Sequence, residues 1–145
     1  MSRMPIPLSL LLAAGAVSAA APPPVEGRWI TASGNLEVAI APCGPAWCGT
    51  VVRVIANRSM ARDGDMQPVD PRPALGMTLL QDLRPDDDAD PDDARVWHGA
   101  LYNRENGKTY RCRVRLAGDG QLELRAYVGL PLFGKTQHWS RAPAP

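Results

Sequence analysis

Histidine is scarce in this chain: His98 and His138 are the only two in 145 residues. Neither stands at a short spacing from Cys43, Cys48 or Cys112, and a zinc site needs three or four converging ligands, so no metal centre is expected. There is no Gly-x-Ser-x-Gly elbow and no His-Glu-x-x-His pair, which leaves no catalytic residue to nominate and no cofactor to expect. An uninterrupted apolar stripe of period 3.6 is also missing from every segment of helical length. Charge of one sign is not in excess either, with 16 basic against 15 acidic residues. Without Arg3 the two signs balance, which argues against a dedicated surface for nucleic acid or an anionic membrane.

Long apolar runs are confined to the start. Arg3 precedes the run from Ile6 to Val17, and small residues follow at Val17, Ser18 and Ala19 to Ala21, the pattern of a signal peptide over residues 1–21 cleaved near Ala19 to Ala21. Pro5, Pro7 and Gly15 interrupt the run, and it falls short of the ~20 residues of a spanning helix, so stable membrane insertion is not expected. A periplasmic or secreted location follows, with one domain over residues 22–145.

Three cysteines read differently in an exported chain than in a cytosolic one. Cys43 and Cys48, with Pro42, Gly44 and Pro45 bending the backbone, can close a local disulfide that would stabilise by roughly 2 kcal/mol. Pairing of either with Cys112, or free thiols, are the alternatives. In the first case Cys112 is a small buried apolar residue.

Gly129 to Thr136 matches the string of a phosphate loop, Gly, four residues, Gly-Lys-Thr. That loop works only where a helix begins at the Thr, and here five residues and the run Ala-Pro-Ala-Pro close the chain, so a turn followed by a strand is expected. Lys135 is then a strand residue facing solvent.

Alternation supplies the remaining strands. They run Gly27–Thr31, Leu36–Ala41, Gly49–Ile55, Met77–Leu83, Val96–Tyr102, Lys108–Leu116, Gln121–Val128 and Lys135–Arg141. A cysteine loop separates the second and third, Asn106-Gly107 favours a type I′ hairpin turn, and Leu122, Leu124, Ala126 and Val128 are expected to face inward. Asn57 to Pro73 is a long irregular connection. The aspartates from Asp86 to Asp93 mimic a calcium loop, but Pro91 stands where that loop needs Gly and Trp97 where it needs Glu, so a solvated turn is expected. About eight short antiparallel strands are best closed into an up-and-down barrel, because closure removes unpaired edges; a two-sheet β-sandwich is the alternative.

With the strands placed, the chain resembles the bacterial exported family called domain of unknown function 2147. The resemblance rests on Gly27-Arg28-Trp29, Cys43 to Gly49, Arg72 to Gly76, Trp97-His98-Gly99-Ala100-Leu101-Tyr102, Gly107-Lys108-Thr109-Tyr110 and Gly129 through Arg141. Arg104 departs from it, standing where the family pattern usually has Pro, and the acidic tract is longer than usual. The family resembles lipocalins, which implies a lipocalin-like barrel, with Trp29 plugging one end and Arg141 lying across its ring. The implied function is binding of a small apolar ligand inside the barrel, with Trp97, Tyr102, Tyr110 and Trp139 as lining candidates. The alternatives are an envelope interaction protein with a filled barrel and, least, an enzyme using His98 or His138 beside a carboxylate.

Overall fold

The computed structural model describes residues 25–86, 96–129 and 134–144, together with residues 2–5, 7, 9, 11–13 and 15 near the N-terminus. The expected cleavage region, most of the acidic tract and residues 130–133 lie outside the described residues. Eight strands follow one another: β1 (Gly27–Ile30), β2 (Leu36–Cys43), β3 (Ala46–Val54), β4 (Thr78–Pro85), β5 (Val96–Asn103), β6 (Lys108–Leu116), β7 (Leu122–Tyr127) and β8 (Lys135–Arg141). Each pairs antiparallel with the next and β8 returns to β1, so the sheet closes into an up-and-down barrel in chain order. Closure decides against the sandwich. No helix among the described residues is long and apolar enough to cross a membrane.

A period of two along each strand builds the core. On β6, Cys112 and Val114 are buried while Thr109, Arg111, Arg113 and Arg115 are exposed. Directly paired residues share a face, so the register Val114↔Leu124↔Gln137 carries the inner face from β6 through β7 to β8. Val38, Ile40, Val51, Leu80, Leu83, Leu122 and Leu124, each nearly free of solvent contact, fill the interior with Trp29 and Trp139. Burying an aliphatic side chain of this size contributes about 1.5–3 kcal/mol.

Two irregularities shape the wall. Between Gln81 and Arg84 the β4–β5 register slips at a bulge, where Asp82 takes a φ of 51°. Gly99 lies opposite, and a side-chain carbon there would stand 2.6 Å from the Gln81 carbonyl oxygen, so only glycine fits. At Gly27, whose φ is 124°, a side-chain carbon would stand 2.6 Å from Arg141 Nη1. The glycine lets the guanidinium in.

Several local expectations are corrected. Cys43 and Cys48 lie in β2 and β3, not in a loop, because Gly44 and Pro45 suffice to turn the hairpin. The register pairs Cys43 with Ala46 and Ala41 with Cys48, and the two sulfurs form a disulfide with Cα atoms 5.5 Å apart. The turn after β5 is not type I′: only Gly107 has positive φ, its N–H meets the Asn103 carbonyl at 2.8 Å, and the loop spans Arg104 to Gly107. Val128 falls beyond the end of β7 and is 75 % exposed, so it is not a core residue. Thr136 lies on a strand, as the proline-rich end requires, and no helix starts there. Lys135 is an exposed residue of that strand, as expected, and its register with Ala126 places it in the same alternation as Gln137 and Trp139, at the rim of the barrel.

Candidate functional site

The two ends of the barrel differ. The lower end holds the start of β1, the β2–β3 and β6–β7 turns and the end of β8; the upper end holds the β1–β2, β3–β4 and β5–β6 connections, the end of β7 and the start of β8.

Tryptophans floor the lower end. Trp29 is fully buried and donates its indole N–H to the Val25 carbonyl at 3.0 Å. The guanidinium of Arg141 lies 4.0 Å from the Trp29 ring centroid and is fixed by donating to the Glu26 carbonyl at 2.8 Å. Trp97 meets Trp47 edge to face, with centroids 6.4 Å apart and planes at 81°. Its indole N–H is buried without a hydrogen-bond partner among the described residues. Cys112, also inside, has its thiol pushed up to about 12 by burial, which keeps it neutral and inert.

Among the described residues the upper end is not filled by side chains. A cavity of about 550 Å³ lies at its mouth, walled by Leu101, Asn103, Tyr110, Ala126, Lys135 and Gln137, with Met60 and Glu105 at its edge. A second space of about 140 Å³ shares Met60, Leu101, Asn103 and Gln137 as walls and is lined further by Leu36, Leu79, Tyr102 and Trp139. The inner-face residues of β8 descend from Lys135 through Gln137 to Trp139, a drop of roughly 13 Å at two residues per step. Trp139 donates its indole N–H to Gln137 Oε1 at 2.8 Å, which orients the amide.

The β3–β4 connection is pinned over this rim. The Asn35 side chain, 1 % exposed, clasps the Arg58 backbone from both sides at 2.8 Å. Glu105 accepts from the Ser59 hydroxyl and the Met60 N–H, each at 2.9 Å. Arg104 is buried and donates to Asn57 Oδ1 at 3.1 Å. Asp70 accepts from Arg72 and from the Tyr102 hydroxyl, both at 2.6 Å. The Arg72 guanidinium and then the phenol hold the Asp70 carboxyl well below the usual carboxylate range, and bonding to that carboxylate raises the Tyr102 phenol.

Of the four residues expected to line a ligand site, Tyr110 walls the mouth, and Tyr102 and Trp139 wall the inner space. Trp97 walls neither and packs in the core beside Trp47. None of Leu101, Asn103, Gln137 and Lys135 is expected from the sequence as a lining residue, although Lys135 is placed on a strand. A signal existed for the last two: with Trp139 facing inward, the period of two carries Gln137 and Lys135 to the same face.

The histidines lie on the outside. His98 Nδ1 stands 3.9 Å from Asp86 Oδ1 and His138 Nε2 3.7 Å from Glu123 Oε1, beyond hydrogen-bond reach, and both imidazoles are about half exposed. No group of three or more His, Cys, Asp or Glu among the described residues could hold a metal ion.

Comparison with known proteins agrees with the architecture. Among solved structures the barrel is similar to the protein HP1028 of Helicobacter pylori, described as belonging to the lipocalin family. The TM-score is 0.55 and the sequences are 20 % identical, over 81 % of this chain and 82 % of that one. No curated protein matches. The family model described as an uncharacterized protein conserved in bacteria, domain of unknown function 2147, matches residues 27–141, from the first residue of β1 to the last of β8. The chain therefore belongs to that family, built as a lipocalin-like barrel.

Proposed function

We propose that this protein is an exported binder that takes a small, mostly apolar molecule into the upper end of its barrel, in the periplasm or outside the cell. The observation that carries the reading is the cavity of about 550 Å³ at the mouth, backed by the space that reaches Trp139. That volume lies in the range of small-molecule sites, roughly 300–1,000 Å³. Leu36, Leu79 and Leu101 give the second space apolar wall, beside the polar Thr31, Asn35 and Asn103. Tyr102, Tyr110 and Trp139 add flat faces, while Trp97 would act from below as filler.

Export is supported by the signal-like first 21 residues and by the disulfide, which persists in oxidising compartments. The charged exterior fits an aqueous surrounding, since a lipid-facing barrel carries its apolar band outward, and here Arg111, Arg113 and Arg115 stand on the outer face of β6. The 57–73 connection serves the same end as a fixed rim, with Met60 bordering both spaces.

Native mass spectrometry of the chain isolated from the periplasmic fraction tests this. A population heavier than the mature chain by one small molecule, released on denaturation, is expected. Bare protein alone, from a fraction in which the signal segment is still attached, would contradict both halves of the reading.

A further inference from the structure

The polar groups at the mouth divide unequally between donors and acceptors, and the division names the ligand's head. Gln137 Oε1 is consumed by the Trp139 indole N–H. An indole can only donate, so the amide orientation is fixed and both Gln137 N–H donors remain. Asn106 Oδ1 takes the Lys108 backbone N–H at 2.9 Å, so its amide nitrogen is the group that donates to the Tyr110 oxygen at 2.8 Å. The Tyr110 hydrogen is therefore unspent. Asn103 Oδ1 accepts the Glu105 N–H at 2.9 Å, which leaves the Asn103 amide donors. The single carboxylate at the edge, Glu105, is already engaged by Ser59 and Met60. The Lys135 ammonium makes no hydrogen bond or ion pair among the described residues, although it shares the wall with these groups.

The Lys135 ammonium, the Gln137 and Asn103 amide hydrogens and the Tyr110 hydroxyl hydrogen are thus donors with no acceptor among the described residues, and one of them is a cation. Beside it, the second space offers the apolar side chains of Leu36, Leu79, Leu101 and Trp139.

We infer that the cavity takes an amphiphile bearing an anionic oxygen head, a carboxylate or a phosphate, held at the mouth by Lys135, Tyr110, Asn103 and Gln137 with its apolar part directed toward Trp139. The inference rests on the small-ligand reading and deepens it. A neutral alkyl molecule would use none of these donors and gain nothing from the Lys135 charge. An anionic head supplies several acceptors at once, and charge-assisted bonds are the stronger ones.

The experiment is displacement of a neutral probe, N-phenyl-1-naphthylamine, by dodecanoate, dodecyl phosphate and dodecanol, using the mature chain at low and moderate salt. The expected result is that at least one of the two anions binds about tenfold or more tightly than dodecanol, which separates carboxylate from phosphate as the preferred head. In Lys135→Gln that advantage collapses while dodecanol binding is unchanged; in Lys135→Arg it survives, and Tyr110→Phe reduces it in part. Equal binding of the anions and the alcohol, or an advantage that persists in Lys135→Gln, overturns the assignment of the head while the cavity reading stands. Failure of the probe and all three alkyl compounds to bind overturns the cavity reading and this inference with it.

Discussion

Single residues hold the two ends of this barrel by different chemistry. At the floor, Arg141 caps the Trp29 ring and ties down Glu26, so Arg141→Ala should cost about 0.5–2 kcal/mol from the lost cation–π contact and shift the Trp29 emission. Urea unfolding followed by tryptophan fluorescence measures both; an unchanged midpoint and spectrum would remove the contact from the account. At the rim, Asp70 is paired with Arg72 and Tyr102. A carboxyl depressed in the folded state stabilises fully above its unfolded value of about 3.9 and loses that contribution as pH falls toward the folded one. Asp70→Asn should therefore be less stable than the parent at pH 7, with the gap closing below pH about 4. Thermal melts across that range give the answer, and a gap independent of pH would contradict the pairing. Cys112 offers a simpler check: its thiol, pushed up to about 12 and buried, should resist thiol reagents at pH 8 until the chain is unfolded. The ligand wall was the least legible part of the sequence at this scale. Large aromatic rings drew notice, yet Trp97 and Tyr102 were committed to packing and to Asp70, whereas Lys135 and Gln137 carry no signal except their spacing from Trp139.

At the scale of elements, most of the fold was readable because alternation is a direct record of which face meets the core. β6 shows it plainly, with Cys112 and Val114 inward between exposed arginines, and its expected and observed bounds coincide at Lys108–Leu116. What escaped was set by pairing between strands distant in sequence. The β4 bulge has no local signature beyond Asp82, and only the structure explains why position 99 must lack a side chain. Gly99→Ala should force the bulge to shift and cost about 1–3 kcal/mol, read as a lowered denaturation midpoint; full retention would deny the close approach of the Gln81 carbonyl. The cysteine pair was legible as chemistry but not as geometry, since two turn residues were taken for a loop. Replacing both Cys43 and Cys48 by Ser should remove about 2 kcal/mol, the chain-entropy value for so short a ring. Equal stability of the parent with and without reductant would show that the hairpin does not depend on the link.

For the whole molecule, formal neutrality concealed an uneven layout. Six of the 15 acidic residues fall between Asp86 and Asp93, while three arginines alternate along the outer face of β6. Composition therefore could not reveal where charge sits. Closure of the sheet made one end a floor of tryptophans and left the other hollow. The decisive measurement is a fluorescence titration of the neutral probe against the parent and against Ala126→Trp, which places an indole in the mouth cavity on the residue paired with Lys135. The account predicts saturable uptake of one probe per chain, weakened by about tenfold or more in the variant while its thermal melt stays cooperative. No uptake by the parent, or equal uptake by both proteins, would mean that the hollow end of the barrel is not where this protein binds.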